Sequence, residues 1–251
     1  MKRTFLAPST QAQSTNKPTV YLAGDSTMQT FDESWKPEAG WGQMIDLFFT
    51  KDVRFANHAI GGRSSKTFIT EGRLDQILHE IRQGDYMLIQ FGHNDATISV
   101  PARYTTIPEY KDYLKQYVNG ARQHGAEPIL VTPVGRRIFD EETGAFKLSF
   151  PEYVQGMKEI AVELNVKLVD LNARSTAYYN EMGVEGTKAI FLHTAPGAYT
   201  AFPNGSADDT HFQSMVQGKL HGLSRSKLSS LSCRFRNLSS TTLPMIKLCN
   251  K

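Results

Sequence analysis

The chain has 251 residues, of which 40% are hydrophobic and 21% are charged, and its formal net charge is +3. This composition is typical of a globular protein with one substantial core, and it excludes a largely disordered, collagen-like or coiled-coil chain. No apolar run approaches the roughly 20 residues that a membrane-spanning helix needs, so we expect no membrane partner.

The charge is distributed unevenly along the chain. Residues 214–251 contain seven basic residues and no acidic residue, which leaves residues 1–213 with 21 basic against 25 acidic residues. A body of mildly negative charge has no electrostatic footprint for nucleic acid, so none is expected as a partner. Both cysteines, Cys233 and Cys249, also lie in 214–251. The body therefore has no thiol nucleophile.

Short apolar runs alternate along the chain with segments of helical periodicity. The apolar runs predict buried strands at 19–23, 53–57, 86–90, 128–133 and 166–170. The periodic segments predict helices at 42–50, 74–81, 107–124 and 150–164, and a further helix that starts at residue 176. This alternation is typical of βαβ units, and it predicts a parallel sheet with helices on both faces.

Polar groups follow the predicted strands, at the sheet edge where α/β proteins carry their chemistry. Ser26 follows the first strand, Gly62 the second and Asn94 the third, and the pair Asp208 and His211 lies late in the body. Each residue has an ordinary interpretation on its own, because a serine after a strand is commonly a helix cap and Asn is a common turn residue. The combination is more specific than any of its members.

Acyl transfer needs an activated hydroxyl, a base, a group that orients the base, and donors to the oxyanion. Ser26 is the candidate nucleophile, His211 the base and Asp208 the orienting carboxylate. The Ser26 and Gly62 backbone N–H groups and the Asn94 side-chain amide are the candidate oxyanion donors. Asp209 competes with Asp208 for the orienting role. The residues thus predict an esterase with an open, polar site.

The same residues, in this order, resemble the pattern of the GDSL or SGNH hydrolase superfamily. Its four name-giving residues correspond to Ser26, Gly62, Asn94 and His211. The resemblance is closest to the rhamnogalacturonan acetylesterases, spans about residues 18–213, and is carried by the segments AGDSTM (23–28), GWGQ (40–43), IGGRSS (60–65), EGRL (71–74), QFGHND (90–95) and Asp208-x-x-His211. Thr27 replaces the leucine of the GDSL name, as it commonly does in the acetylesterases.

The resemblance implies a fold and an activity. The fold is a flavodoxin-like, three-layer α/β/α sandwich with a five-stranded parallel sheet. The activity is removal of acetyl groups, through an acetyl-enzyme, from acetylated galacturonate in the rhamnogalacturonan backbone of pectin. The alternatives are a lipid or thioester hydrolase of the same superfamily and a catalytically silent carbohydrate-binding protein. No metal or cofactor is expected, since the chemistry needs none and neither a zinc motif nor a phosphate loop occurs.

Four residues near the motifs are candidate substrate contacts. Arginine binds carboxylates in a bidentate fork, so Arg63 and Arg73 are candidates for an acidic sugar, with ion pairs to Glu71 as the alternative. His93 is expected to hold its loop or to touch the substrate. Trp41 is expected to stack on a sugar or to pack under the site. Separately from these candidates, we expect the Asp25 side chain to cap a following helix.

The two ends of the chain differ from its body. Residues 1–17 begin like a signal peptide but lack its apolar segment, so we expect a disordered leader and a cytoplasmic location, with an extracellular one as the alternative. Residues 214–251 form an atypical basic tail with eight serines and no sustained helical period, where this fold would place a helix. We hypothesise that a shifted reading frame produced this tail; a genuine divergent tail is the alternative.

Overall fold

The structure is a computed structural model and describes residues 17–214. The strands in chain order are β1 (Thr19–Gly24), β2 (Glu38–Ala39), β3 (Arg54–Asn57), β4 (Tyr86–Gln90), β5 (Glu127–Val131), β6 (Phe139–Asp140), β7 (Ala145–Phe146), β8 (Lys167–Val169), β9 (Phe191–Thr194) and β10 (Ser206–Gln213). The α-helices are α1 (Trp41–Met44), α2 (Ser65–Thr70), α3 (Arg73–Glu80), α4 (Ile107–Gln123), α5 (Pro151–Glu163) and α6 (Leu171–Lys188).

Within residues 17–214, five strands form the main sheet in the order β3-β1-β4-β5-β8, and all neighbours pair in parallel. Parallel strands need crossover connections, and the helices between these strands supply them. The predicted fold class is therefore confirmed. β3 and β4 lie on opposite sides of β1, so the direction in which successive strands are added reverses at β1. A crevice forms at such a point, beyond the carboxyl ends of the strands β3, β1 and β4.

The alternation of side chains along each buried strand builds two cores. On β1, Tyr21 and Ala23 point into one core and Val20 and Leu22 into the other. The first core is closed by apolar residues of α2, α3, α4 and α5, and the second by α6 and the segment around Trp41. Since both faces are covered, the strands are continuously apolar, and this is why the sequence revealed them.

A second, antiparallel sheet was not predicted. In the described part of the chain it has three strands in the order β2-β10-β9, and Phe212 of β10 packs against the second core. Its central strand reads SADDTHFQ, which has no apolar alternation, and β2 has two residues. The short hairpin of β6 and β7 was missed for the same reason.

Three local predictions need correction. The predicted helix at 42–50 is only the short α1 followed by a 3-10 helix at Ile45–Phe48. The helix predicted from residue 176 begins earlier, at Leu171, where the Asp170 side chain accepts the Ala173 N–H as an N-cap. Asp25 is followed directly by a turn and not by a helix, and its carboxylate accepts both the backbone N–H and the hydroxyl of Thr27.

The predictions for both ends of the chain fall largely on residues that the structure does not describe. Residues 1–16 and 215–251 lie outside the described range, so the leader and the reading-frame hypothesis stay predictions. Ser214, the last described residue, donates its backbone N–H to the Pro37 carbonyl at 2.6 Å. Between residues 17 and 214, no helix is long and apolar enough to cross a membrane.

Close backbone contact at Gly40 gives a stability prediction. A Cβ atom at Gly40 would lie 2.4 Å from the Gln29 carbonyl oxygen and 2.6 Å from the Gln29 nitrogen. Gly40→Ala should therefore lower the free energy of unfolding by about 2–3 kcal/mol, as measured by urea denaturation.

Gly186→Ala is the matched control for this substitution. Gly186 lies in α6, and its nearest neighbours are atoms of the flexible Met182 side chain at 3.3 Å and beyond. Alanine is the better helix former, so this change should raise stability by up to about 1 kcal/mol. Equal effects of the two substitutions would contradict the close contact at Gly40.

Candidate active site

The candidate nucleophile lies at the carboxyl end of the central part of the main sheet. β1 ends at Gly24, and the chain turns at once so that the Met28 N–H donates to the Asp25 carbonyl. Ser26 is half-buried in this turn, and its Oγ lies 2.8 Å from Nε2 of His211. The hydroxyl and the imidazole are thus within direct hydrogen-bond distance although 185 residues separate them in the chain.

The candidate base and its partner lie on β10, not in a simple turn. Asp208 is opposite Leu192 on β9 and Phe212 is opposite Phe191, so residues 209–211 bulge out between adjacent positions of β9. On a regular strand, residues three apart would point to opposite faces. The bulge brings the two side chains together, and His211 Nδ1 lies 2.7 Å from Asp208 Oδ2.

The Asp208 carboxylate is held by several donors at once. Its Oδ1 accepts the backbone N–H groups of Thr210 at 2.6 Å and His211 at 2.9 Å, while Oδ2 accepts the imidazole. Burial works to raise the pKa of Asp208, but the hydrogen bonds and charge of His211 outweigh it and hold this pKa well below its usual value. The carboxylate is therefore ionised throughout the neutral range.

The same pair sets the protonation of the base. Burial works to lower the pKa of His211, and the hydrogen bond and negative charge of Asp208 reverse this effect, so the pKa is raised. The contact to Asp208 also fixes the tautomer: Nδ1 carries the proton and Nε2 presents its lone pair to Ser26. A histidine in this state can accept the hydroxyl proton.

Asp209 has a different set of partners. Its Oδ1 lies 3.1 Å from Nη1 of Arg137 and 2.8 Å from Nε2 of His193, and its carbonyl accepts the Arg137 N–H. Arg137 also donates to Thr187 and Val184, so this network ties β10 to β9 and α6. Asp209 therefore fastens the bulged strand, while Asp208 contacts the imidazole.

Candidate oxyanion donors lie beside Ser26. A Cβ atom at Gly61 would be 3.5 Å from Cβ of Ser26, and Gly62 has a φ of +78°, which glycine adopts without strain. Within residues 17–214, the backbone N–H groups of Ser26 and Gly62 donate to no other protein atom. Asn94 donates one amide hydrogen to the Arg63 carbonyl at 2.9 Å and keeps its second for another acceptor.

Arg63 and Arg73, the two candidate contacts for an acidic sugar, form ion pairs with a glutamate of the protein. Arg63 Nε and Arg73 Nε both contact Glu71 Oε2, at 3.0 and 2.7 Å. Hydrogen bonds from Arg73 and Arg63 lower the pKa of Glu71. Arg63 also donates to the Gly61 carbonyl. The arrangement favours the alternative interpretation, in which these arginines fix the loop that carries Gly62.

His93 and Trp41 are positioned beneath the site. His93 is 4% exposed, its Nε2 lies 3.0 Å from the Val134 carbonyl, and burial lowers its pKa to about 4. It is thus a neutral residue that joins two loops. The Trp41 indole N–H donates to Gln90 at 2.9 Å, and its ring packs against the second core. Both residues fit the structural interpretation better than a substrate contact.

Asp95 is the last residue of the QFGHND segment, and its role is evident only from the structure. This buried carboxylate follows Asn94 and accepts the Ser65 backbone N–H and the Thr105 hydroxyl, while burial raises its pKa to about 6. It holds the Asn94 loop against the start of α2. An aspartate after a strand resembles any turn residue, so the sequence carried no signal for this role. No group of three or more potential metal ligands occurs among residues 17–214.

Known proteins share this sequence and architecture. The chain is 45% identical over 194 residues to a probable rhamnogalacturonan acetylesterase, YesY, of Bacillus subtilis, covering 77% of this chain and 84% of that protein. It is 42% identical over 193 residues to the rhamnogalacturonan acetylesterase RhgT of the same organism, covering 77% and 82%. It is 43% identical over 209 residues to a rhamnogalacturonan acetylesterase of Emericella nidulans, covering 74% and 78%.

A solved structure and a family model agree with these relatives. The crystal structure of YxiM from Bacillus subtilis matches with a TM-score of 0.70 and 26% identity, covering 89% of this chain and 56% of that one. The model of the family described as GDSL-like Lipase/Acylhydrolase matches residues 20–221. The chain belongs to the GDSL-like lipase/acylhydrolase family.

Proposed function

We propose that this protein is a serine esterase that removes acetyl groups from acetylated rhamnogalacturonan. The observation that carries the proposal is the unbroken chain of short contacts from Ser26 Oγ through His211 to the Asp208 carboxylate, at 2.8 and 2.7 Å. The substrate class is supported by relatives named rhamnogalacturonan acetylesterase that are 42–45% identical. They supply the polymer, and the geometry supplies the reaction type.

Acylation follows from the position of each group. His211 Nε2 takes the proton of Ser26 as Oγ attacks the acetyl carbonyl carbon. The carbonyl oxygen becomes negative and is bound by the N–H groups of Ser26 and Gly62 and by the Asn94 amide. The C–O bond to the sugar then breaks, and the imidazolium returns its proton to the leaving sugar oxygen. Asp208 stabilises the imidazolium between these steps.

Deacylation repeats the sequence with water. His211 removes a proton from a water molecule as its oxygen attacks the acetyl-enzyme carbonyl, and the same donors bind the second oxyanion. The bond to Ser26 Oγ breaks, the imidazolium protonates Oγ, and acetate leaves. His93 takes no part in these steps, because burial lowers its pKa to about 4 and its Nε2 contacts the Val134 carbonyl.

Acetate release decides between the proposal and its alternatives. Purified protein should release acetate from acetylated rhamnogalacturonan faster than from acetylated xylan, and it should hydrolyse 4-nitrophenyl acetate faster than 4-nitrophenyl octanoate. A preference for octanoate would favour a lipid or thioester hydrolase with an apolar acyl site. Activity on neither ester would favour a carbohydrate-binding protein.

Removal of the candidate nucleophile is the first mutational prediction. Ser26→Ala should lower kcat for 4-nitrophenyl acetate by roughly 10⁴–10⁶, because a methyl group can neither attack nor form the acetyl-enzyme. Ser34→Ala, at an exposed hydroxyl on a 3-10 helix, is the control and should retain full activity. Retention of more than about 1% of kcat by a folded Ser26→Ala protein would exclude Ser26 as the nucleophile.

Two adjacent carboxylates give a matched pair of variants. Asp208→Asn should lower kcat by about 10³–10⁴, because the amide no longer stabilises the imidazolium or fixes its tautomer. Asp209→Asn should keep most of kcat at 25 °C but lower the free energy of unfolding by about 1 kcal/mol, since it weakens the pairing with Arg137 and His193. Kinetics and thermal melts of both proteins check this, and the reverse pattern would exchange their roles.

The raised pKa of His211 predicts the pH dependence. The base acts only when neutral, so kcat/KM should fall as pH drops through a midpoint above 6.5, the ordinary value for histidine. Residual activity of Asp208→Asn should have a lower midpoint, because burial then acts on the imidazole without the opposing charge. Profiles from pH 5 to 9 on 4-nitrophenyl acetate test both statements; a wild-type midpoint below 6.5 would contradict the coupling to Asp208.

A further inference from the structure

Two arginines that the sequence analysis did not single out lie beside the catalytic groups. Arg103 belongs to the loop that follows β4, where its backbone N–H donates to the Val100 carbonyl. A Cβ atom at Gly62 would be 3.9 Å from Nη1 of Arg103. The guanidinium group of Arg103 therefore lies next to the candidate oxyanion loop.

Arg136 approaches the same groups from another loop. It follows β5, its backbone N–H donates to the Ser149 hydroxyl, and its guanidinium carbon lies 4.8 Å from the centroid of the Phe150 ring. Burial lowers the pKa of Arg136, while the charges of Asp25 and Asp208 raise it and that of Arg103 lowers it. The loop of Arg136 adjoins the bulge that carries Asp208 and His211, because the backbone N–H of the next residue, Arg137, donates to the Asp209 carbonyl.

The guanidinium groups of these two arginines have no hydrogen-bond or ion-pair partner in the described part of the chain. Among residues 17–214, neither side chain forms an ion pair or donates a hydrogen bond, and Nε of each is buried without a partner. In contrast, Arg63, Arg73 and Arg137 are each paired with a carboxylate. A buried donor without an acceptor costs free energy, so a bound anion would supply the missing hydrogen-bond acceptor.

The space next to Arg136 can hold a sugar residue. A cavity of about 510 Å³ is lined by Arg136, Arg137, Ile138, Phe139, Asp209 and Thr210. Asp209 and Thr210 are the bulge residues between Asp208 and His211, so the cavity lies beside the segment that carries these two residues. Its volume is in the ordinary range for small-ligand sites, and its lining combines the apolar side chains of Ile138 and Phe139 with cationic ones.

We propose that Arg103 and Arg136 form a carboxylate-binding subsite that selects acetyl esters carried on chains containing uronic acids. The inference rests on the proposed function, which supplies a polymer with a galacturonate carboxylate close to the acetyl group. Guanidinium groups bind carboxylates through paired charge-assisted hydrogen bonds, and two of them can share one carboxylate. The subsite replaces the role that the sequence had assigned to Arg63 and Arg73.

Inhibition of 4-nitrophenyl acetate hydrolysis measures binding at this subsite without requiring turnover of the polymer. The two inhibitors are deacetylated rhamnogalacturonan oligosaccharides and the same oligosaccharides after reduction of their carboxyl groups. For the wild type, the acidic oligosaccharides should have an inhibition constant at least 10-fold lower than the reduced ones. Arg103→Gln and Arg136→Gln should each raise the inhibition constant of the acidic oligosaccharides about 10- to 100-fold. The inhibition constant of the carboxyl-reduced oligosaccharides should stay unchanged.

Controls separate substrate recognition from a structural role. Arg122→Gln removes an arginine near the starts of β5 and β8, at the opposite end of the sheet, and should change neither constant. Arg103→Lys and Arg136→Lys keep the charge but lose the fork, so each should give an intermediate constant. These lysine variants also carry the test if a glutamine variant fails to fold, as judged by circular dichroism.

Two results would overturn the proposal. One is equal inhibition of the wild type by acidic and reduced oligosaccharides. The other is that the arginine variants lose 4-nitrophenyl acetate turnover to the same extent as they lose inhibition by the acidic oligosaccharides. In that case the arginines would support the catalytic groups and would not bind the substrate carboxylate. Failure of the proposed function is distinct, because it shows as absence of acetate release from acetylated rhamnogalacturonan by the wild type, whatever the inhibition constants are.

Discussion

The Asp208 carboxylate, with donors from two backbone N–H groups and one imidazole, is the contact on which the site depends. It sets the direction of the His211 ring, selects its tautomer and stabilises its charged form. The backbone contacts also define the bulge, because they close a turn inside a strand. One carboxylate therefore both stabilises the local backbone conformation and sets the charge of the imidazole. The same donors that it orients keep it ionised.

The remaining groups come from the main sheet. Ser26, Gly62 and Asn94 follow β1, β3 and β4, so the order of these strands places them around one crevice. The loops are fastened by residues that do not face the reaction: Glu71 holds the glycine loop, and Asp95 holds the asparagine loop. Such preorganisation matters because donors that are already oriented lose little free energy when the oxyanion forms.

Sequence patterns predicted the parts whose environment is uniform. β1, β4 and β5 are covered on both faces, so their residues are apolar and their positions are evident. β10 was not predicted, because its residues variously pair with a neighbouring strand, form a bulge and line the site. Its sequence therefore shows no alternation of apolar and polar residues. Chain proximity to motifs suggested Arg63 and Arg73, yet Glu71 lies between them in sequence and pairs with both. Arg103 and Arg136 lie outside every motif, and only folding brings Arg103 next to Gly62 and the Arg136 loop next to the bulge of β10.

The candidate base and the candidate nucleophile belong to separate sheets, and this division has a consequence for how the enzyme loses activity. β10 is joined to β2 through two residue pairs and to β9 through an interrupted ladder, whereas β1 is an interior strand paired on both sides in the main sheet. Local opening of the small sheet would separate His211 from Ser26 while the large core stays intact. Heat or mild denaturant should thus inactivate a population that still has native helix content, and backbone amides of β10 should exchange with solvent before those of β1.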